Sequence, residues 1–242
     1  MSIFCFADKH QSCEKLAEKI CESGNVAIRE RGKFSIVLSG GSTPASLFEL
    51  LASHPWKDQL DWSNTLVFFG DERCVPADHE DSNFRMAEKT LLARVSVDAG
   101  SVFRIRGEDK PAVEAKRYEN AIWTALSDVS AGQPAFDIVL LGLGSDGHTA
   151  SLFPGDPALR HSGLVSSIAA PTHMMPSVER ISLTLNGISM SRHICFLVDG
   201  STKTDIVKAV LGDKAYKYPA AMVHGKTLSW YLSGMDCSFF SE

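Results

Sequence analysis

The sequence predicts an α/β fold with a mainly parallel sheet, on three observations. Four apolar runs, FSIVLSGG (Phe34–Gly41), TLVFFGDE (Thr65–Glu72), FDIVLLGLG (Phe136–Gly144) and HICFLVDG (His193–Gly200), are rich in Val, Ile, Leu and Phe, and each stops at glycine or an acidic residue. Strands covered on both faces have this continuous apolar character, because helices pack on each side of a parallel sheet. Amphipathic stretches lie between the runs, and strand alternating with helix is the pattern of βαβ units. The residues with chemical potential gather where the runs stop, the end of such a sheet at which ligands bind.

In chain order, Asp8 followed by Gln11 resembles a capping box, opening a helix with Cys13, Leu16 and Ile20 on one side. After the first run, TPASLFELLAS supplies Thr43 as cap and Pro44 as first helical residue. SNFRMAEKTLLARV predicts a helix from Ser82, and KPAVEAKRYENAIWTAL predicts one from about Pro111. SDVSAGQPA (Ser127–Ala135) is the loop leading into the third run. GLVSSIAAP reads as a strand, and ERISLTLNG (Glu179–Gly187) alternates Ile181, Leu183 and Leu185 with polar neighbours, as a strand with one less buried face does. STKTDIVKAVL then predicts a helix from Ser201. No repeat, low-complexity tract or long linker interrupts the chain, so one domain over residues 1–242 is expected.

Composition narrows the function classes. A length of 242 residues, 44% hydrophobic and 22% charged, suits a soluble globular protein with a sizeable core. With a net charge of −5 and no basic block, nucleic acid and acidic membrane surfaces are poor partners. The six cysteines form no C-x-x-C pair, which points to reduced thiols in a cytoplasmic setting and away from disulfides or zinc. The N-terminus has neither a basic start nor a long apolar run, and no segment has eighteen consecutive apolar residues, so neither a secretory signal nor a membrane span is expected.

Four run ends carry candidate chemistry. In LSGGSTP, Gly40 and Gly41 let backbone N–H groups approach an anion, Ser42 and Thr43 add hydroxyls, and the helix beyond adds its positive end. The same pattern also serves as a plain glycine turn with a threonine cap. In FFGDERCVPADHEDSN, Arg73 presents a planar fork suited to phosphate or carboxylate, unless it pairs with Asp71 or Glu72 beside it. DHED (Asp78–Asp81) lacks metal-ligand spacing and reads as negative charge ahead of the helix at Ser82. In DGSTK, Lys203 stands just inside a helix N-terminus, against the dipole; an anion there would account for it, as would simple solvation.

The fourth end, GLGSDGHTASLFPG, has the G-x-G-x-x-G spacing of a dinucleotide site at Gly142, Gly144 and Gly147. That site needs a sustained helix after the glycines and an acid ending the next strand. Pro154 and Pro157 interrupt the first, and GLVSSIAAP ends without Asp or Glu, so no such cofactor is expected. What remains is Asp146 two residues before His148. Histidine accepts a proton near neutral pH, and an adjacent carboxylate fixes its tautomer. Without a G-x-S-x-G nucleophile, a histidine that activates water directly is the economical reading.

Taken together, LSGGSTP, FFGDERCVP, SNFRMAEKTLL, the GLGSDGHTASLFPG segment, ERISLTLNGI and FLVDGSTKTDIVKAVL resemble the 6-phosphogluconolactonase family, in order, from about Phe34 to Val223. The resemblance implies a three-layer α/β/α sandwich with a modified Rossmann-like sheet. It implies hydrolysis of 6-phospho-D-glucono-1,5-lactone in the oxidative pentose phosphate pathway, without metal or organic cofactor. By that likeness His148 is the general base and Asp146 orients it. Arg73 and Lys203 bind the phosphate with help from the Gly40–Thr43 backbone, and Arg180 is a further candidate for the anion site. Backbone N–H groups around Gly41 and Gly144 are candidate oxyanion donors. The expected partner is a small sugar-phosphate lactone, the chain being a monomer or weak homo-oligomer.

Two departures stand out. Ser233 occupies the place of an aspartate in a Trp-x-x-Asp pattern, and APTHMMPSVER carries two methionines; both bear on the periphery of the site and not on its centre. Two rival readings remain. A glucosamine-6-phosphate deaminase or isomerase would carry a glutamate in a Phe-Asn-Glu-Pro segment, where this chain has Leu152, Phe153 and Pro154. A non-catalytic sugar-phosphate sensor would keep Arg73 and Lys203 but have no need of His148.

Overall fold

The computed structural model describes residues 1–127, 134–212 and 215–240, so most of the loop expected at 127–135 lies outside the described residues. Among the described residues there are nine strands: β1 (Ser2–Phe6), β2 (Phe34–Leu38), β3 (Thr65–Phe69), β4 (Asp71–Arg73), β5 (Phe136–Leu141), β6 (Val165–Ile168), β7 (Arg180–Leu183), β8 (Ser191–Asp199) and β9 (Leu228–Ser233). The helices are α1 (Lys9–Arg31), α2 (Ser42–Leu51), α3 (Asn83–Thr90), α4 (Pro111–Ser127), α5 (Leu185–Ser189) and α6 (Thr204–Leu211).

Six strands form one sheet in the order β1-β9-β8-β5-β2-β3, every pair parallel. Every residue of β2, β3 and β5 is buried, so both faces of the sheet centre are covered, as the continuous apolar runs predict and as an α/β sandwich requires. The edge strand β1 is mostly exposed, and with β9 it falls outside the four predicted runs; their short, mixed sequences give a weak periodic signal. Asp8 caps α1 by accepting from the Gln11 N–H (3.0 Å), and Cys13, Leu16 and Ile20 are all buried.

The structure corrects several readings. The run Thr65–Glu72 is not one strand. Gly70 donates its N–H to Leu38 O of β2 and accepts at its C=O from the Leu183 N–H of β7, so the chain leaves the parallel sheet there. Beyond it, β4 joins an antiparallel sheet in the order β4-β7-β6. β7 is the middle strand of that sheet and is buried throughout, not on one face only, and Leu185 already belongs to α5. The cap of α2 is Gly41, not Thr43: its φ of 104° is strained for any other residue, and the helix starts at Ser42. Lys203 ends a 3-10 turn (Ser201–Lys203) and caps α6 from outside.

Candidate active site

The C-terminal ends of β2, β5 and β8 and the start of β4 converge on one cleft of about 360 Å³. Gly40, Gly41, Ser42, Thr43, Arg73, His148, Arg180 and Lys203 all line it, and Asp146 stands behind His148, so the structure brings every sequence-predicted site residue together. Ser39, Asp71, Asn83, Thr149 and Asp199 also line it and were not singled out as site residues. Asp71, Asn83 and Asp199 lie at or beside the quoted run ends, so position alone was a signal for them.

The GLGSDGH segment closes on itself. Gly144 N–H donates to His148 O (2.9 Å) and Gly147 N–H to Gly144 O (3.1 Å), making a tight turn with no helix behind it. A Cβ on Gly144 would overlap the His148 imidazole, which explains the glycine: the ring lies directly over this backbone. The Gly144 N–H is therefore spent inside the loop, which removes it from the candidate oxyanion donors around Gly41 and Gly144. The first-turn N–H groups of α2, which have no intrahelical acceptor, remain open beside the cleft.

Asp146 Oδ1 lies 2.5 Å from His148 Nδ1 and also accepts the His148 backbone N–H (3.1 Å). Burial works to raise the Asp146 pKa, but hydrogen bonds and charge from His148, together with His173, hold the carboxyl well below the usual carboxylate range. An ionised carboxylate only accepts, so Nδ1 carries the hydrogen, and in the neutral imidazole Nε2 is the nitrogen with the lone pair.

Opposite the histidine, Arg73 and Arg180 are direct partners in the antiparallel β4–β7 ladder. Like charges placed opposite one another are unfavourable unless an anion compensates them. Arg73 Nη1 donates to Asp81 O (2.7 Å) and Arg180 Nη2 to Pro176 O (3.2 Å), while the Nε of each is buried without a partner. Burial lowers the Arg180 pKa, with the Arg73 charge adding to it and Asp71 opposing. Arg180 is thus as well placed for an anion as Arg73. Lys203 Nζ donates to Leu143 O (3.0 Å), and burial lowers its pKa against the pull of Asp146.

The acidic residues beside Arg73 do not pair with it. Asp71 accepts from Ser151 Oγ (2.6 Å) and Asn83 Nδ2 (3.2 Å). Glu72, fully buried, accepts from the N–H groups of Arg73 (2.8 Å), Asn83 (2.7 Å) and Phe84 (2.8 Å) and from Ser82 Oγ (3.0 Å). Burial raises the Glu72 pKa, against the lowering effect of those N–H groups. Glu72 therefore supplies the negative charge at the start of α3 that was expected from DHED, whose side chains point outward on a turn. Glu72→Gln turns an amide NH₂ toward these donors, and thermal or denaturant unfolding should show a loss of about 2 kcal/mol. Cys74, next to Arg73, is no reactive thiol: burial, with Glu179 and Glu72 nearby, pushes its pKa up to about 11.

Both departures have structural answers. Ser233 is fully buried and donates to Asp199 Oδ1 (2.8 Å), its register partner across the β8–β9 ladder. The Ser233 hydroxyl thus meets a carboxylate of the neighbouring strand that also lines the cleft. APTHMMPSVER is not peripheral. It forms the loop between β6 and β7, and His173 Nε2 reaches Asp146 Oδ2 (3.0 Å), a contact no sequence spacing signals. At the place of the deaminase glutamate, the Phe153 ring packs against His148 (centroids 4.9 Å apart).

Fold and site together define an α/β protein able to hold a small anionic molecule between an arginine pair and a histidine–aspartate pair. The chain belongs to the family of glucosamine-6-phosphate isomerases/6-phosphogluconolactonase, whose model matches residues 7–230. It is 37% identical to a 6-phosphogluconolactonase of Haemophilus influenzae over 201 residues, 81% of this chain and 83% of that one. It is 39% identical to the Treponema pallidum 6-phosphogluconolactonase over 194 residues, 80% of this chain and 77% of that one. The crystal structure of 6-phosphogluconolactonase from Thermotoga maritima superposes with a TM-score of 0.82 at 28% identity, covering 96% of this chain and 99% of that one.

Proposed function

We propose that this chain hydrolyses 6-phospho-D-glucono-1,5-lactone to 6-phospho-D-gluconate, a step of the oxidative pentose phosphate pathway, with His148 as general base. The observation that carries this reading is the Asp146–His148 pair at 2.5 Å, facing one cleft with the paired Arg73 and Arg180. The arginines and Lys203 hold the phosphate, with the Gly40–Thr43 turn assisting, which fixes the lactone carbonyl near His148 Nε2. Nε2 takes a proton from water as the water oxygen bonds to the carbonyl carbon. The oxyanion so formed develops in a cleft lined by N–H and O–H donors. Its collapse breaks the bond to the ring oxygen, which receives the proton back from the imidazolium. No metal or organic cofactor enters these steps.

Family membership and the named relatives support the substrate class, and the free thiols of all six cysteines support a reducing, cytoplasmic setting. No described helix is long and apolar enough to cross a membrane. The chain is proposed to be a monomer or weak homo-oligomer, which sedimentation would distinguish. The decisive experiment adds purified protein to freshly made 6-phosphogluconolactone, with glucosamine 6-phosphate in parallel. Loss of lactone faster than its spontaneous hydrolysis is expected; an unchanged rate, or turnover of the amino sugar alone, rejects the reading.

A further inference from the structure

Asp146 carries an imidazole on each oxygen: His148 Nδ1 at Oδ1 (2.5 Å) and His173 Nε2 at Oδ2 (3.0 Å). Asp146 reaches His148 from within a tight turn, but its own carboxylate can rotate about the Cβ–Cγ bond. A donor on the second oxygen removes that freedom and keeps Oδ1 facing Nδ1. The Phe153 ring fills the space between the imidazoles, 4.9 Å from His148 and 5.5 Å from His173, edge-on to the latter. The Arg180 guanidinium lies 5.7 Å from the centre of the same ring. The loop that brings His173 is tied at its other end to Arg180, through Pro176 O (3.2 Å) and Met174 Sδ (3.8 Å). The other charge acting on Asp146 is Lys203, whose ammonium is held by Leu143 O.

We propose that His173 is a positioning residue: acting through Asp146, it locks the orientation of His148, and its loop couples that lock to the arginine pair. The inference rests on the reading of His148 as the base. Since His173 touches neither the cleft lining nor the reacting atoms, its loss should appear in kcat and not in KM. His173→Phe is expected to lower kcat roughly tenfold, the scale of one lost charge-assisted hydrogen bond, with KM within about twofold. His173→Gln, which keeps a donor near Nε2, should restore most of the loss. In an Asp146→Asn background His173→Phe should have little further effect, because the two act as one unit. A low-field proton resonance from His148 Nδ1–H should sharpen in the wild type and broaden in His173→Phe. The proposal is overturned by an unchanged kcat in His173→Phe, by a loss confined to KM, by equal damage in His173→Gln, or by an undiminished effect in the Asp146→Asn background. Wild-type turnover in His148→Ala would instead reject the base assignment, whereas the resonance reports on the lock independently of activity.

Discussion

Replacing His148 with alanine should lower kcat for lactone hydrolysis about a thousandfold, the range contributed by a well-placed general base, while KM stays within a few-fold. The separation follows from geometry. The imidazole is held over Gly144 by its own turn and meets Asp146 at Nδ1, which leaves Nε2 as the nitrogen for the reacting carbonyl in the proposed reading, while the arginine pair takes the phosphate. The lactone also opens unaided, so residual turnover should sit close to the spontaneous rate. Steady-state kinetics with correction for spontaneous hydrolysis gives the answer; a variant with wild-type kcat removes His148 from the chemistry.

The second large effect belongs to the arginine pair. Arg73→Ala should raise KM about a hundredfold, on the scale of losing a buried hydrogen-bonded charge, with kcat much less affected. Arg180→Ala should come close to it, because the two are ladder partners with matching buried, unpartnered Nε atoms. Removing either also relieves the repulsion between them, so the single variants should retain or gain thermal stability while losing substrate affinity. A KM unchanged in both variants contradicts the phosphate assignment. Losses that vanish against an unphosphorylated lactone support it.

The sequence carried much of this site because run ends in a parallel sheet are also ligand ends: Gly40–Thr43, Arg73, His148 and Lys203 were legible from position. Arg180 was visible only by resemblance, since nothing local says that a strand start will lie opposite Arg73. That pairing depends on the chain leaving one sheet for another at Gly70, inside what reads as a single apolar run. His173 was beyond reach for a related reason: it arrives on a loop between β6 and β7, 27 residues from Asp146, with no periodic signal. That the Gly144 N–H is spent inside its own loop was not legible, because a self-closing turn cannot be told from an open one by its glycines. β1 and β9 were missed because five and six residues are too few to show a strand pattern on their own.

The junction at Gly70 has a wider consequence. His148, Lys203 and the α2 start hang from the six-stranded sheet, while Arg73 and Arg180 belong to the three-stranded one. In the proposed reading, the base that serves the carbonyl hangs from one sheet, while the phosphate is grasped from both, by the arginine pair of one and by Lys203 and the Gly40–Thr43 turn of the other. The span from His148 to the arginine pair is then set by the seam where the sheets meet, and a phosphorylated lactone one carbon shorter or longer should turn over more slowly because its carbonyl falls out of register with the base.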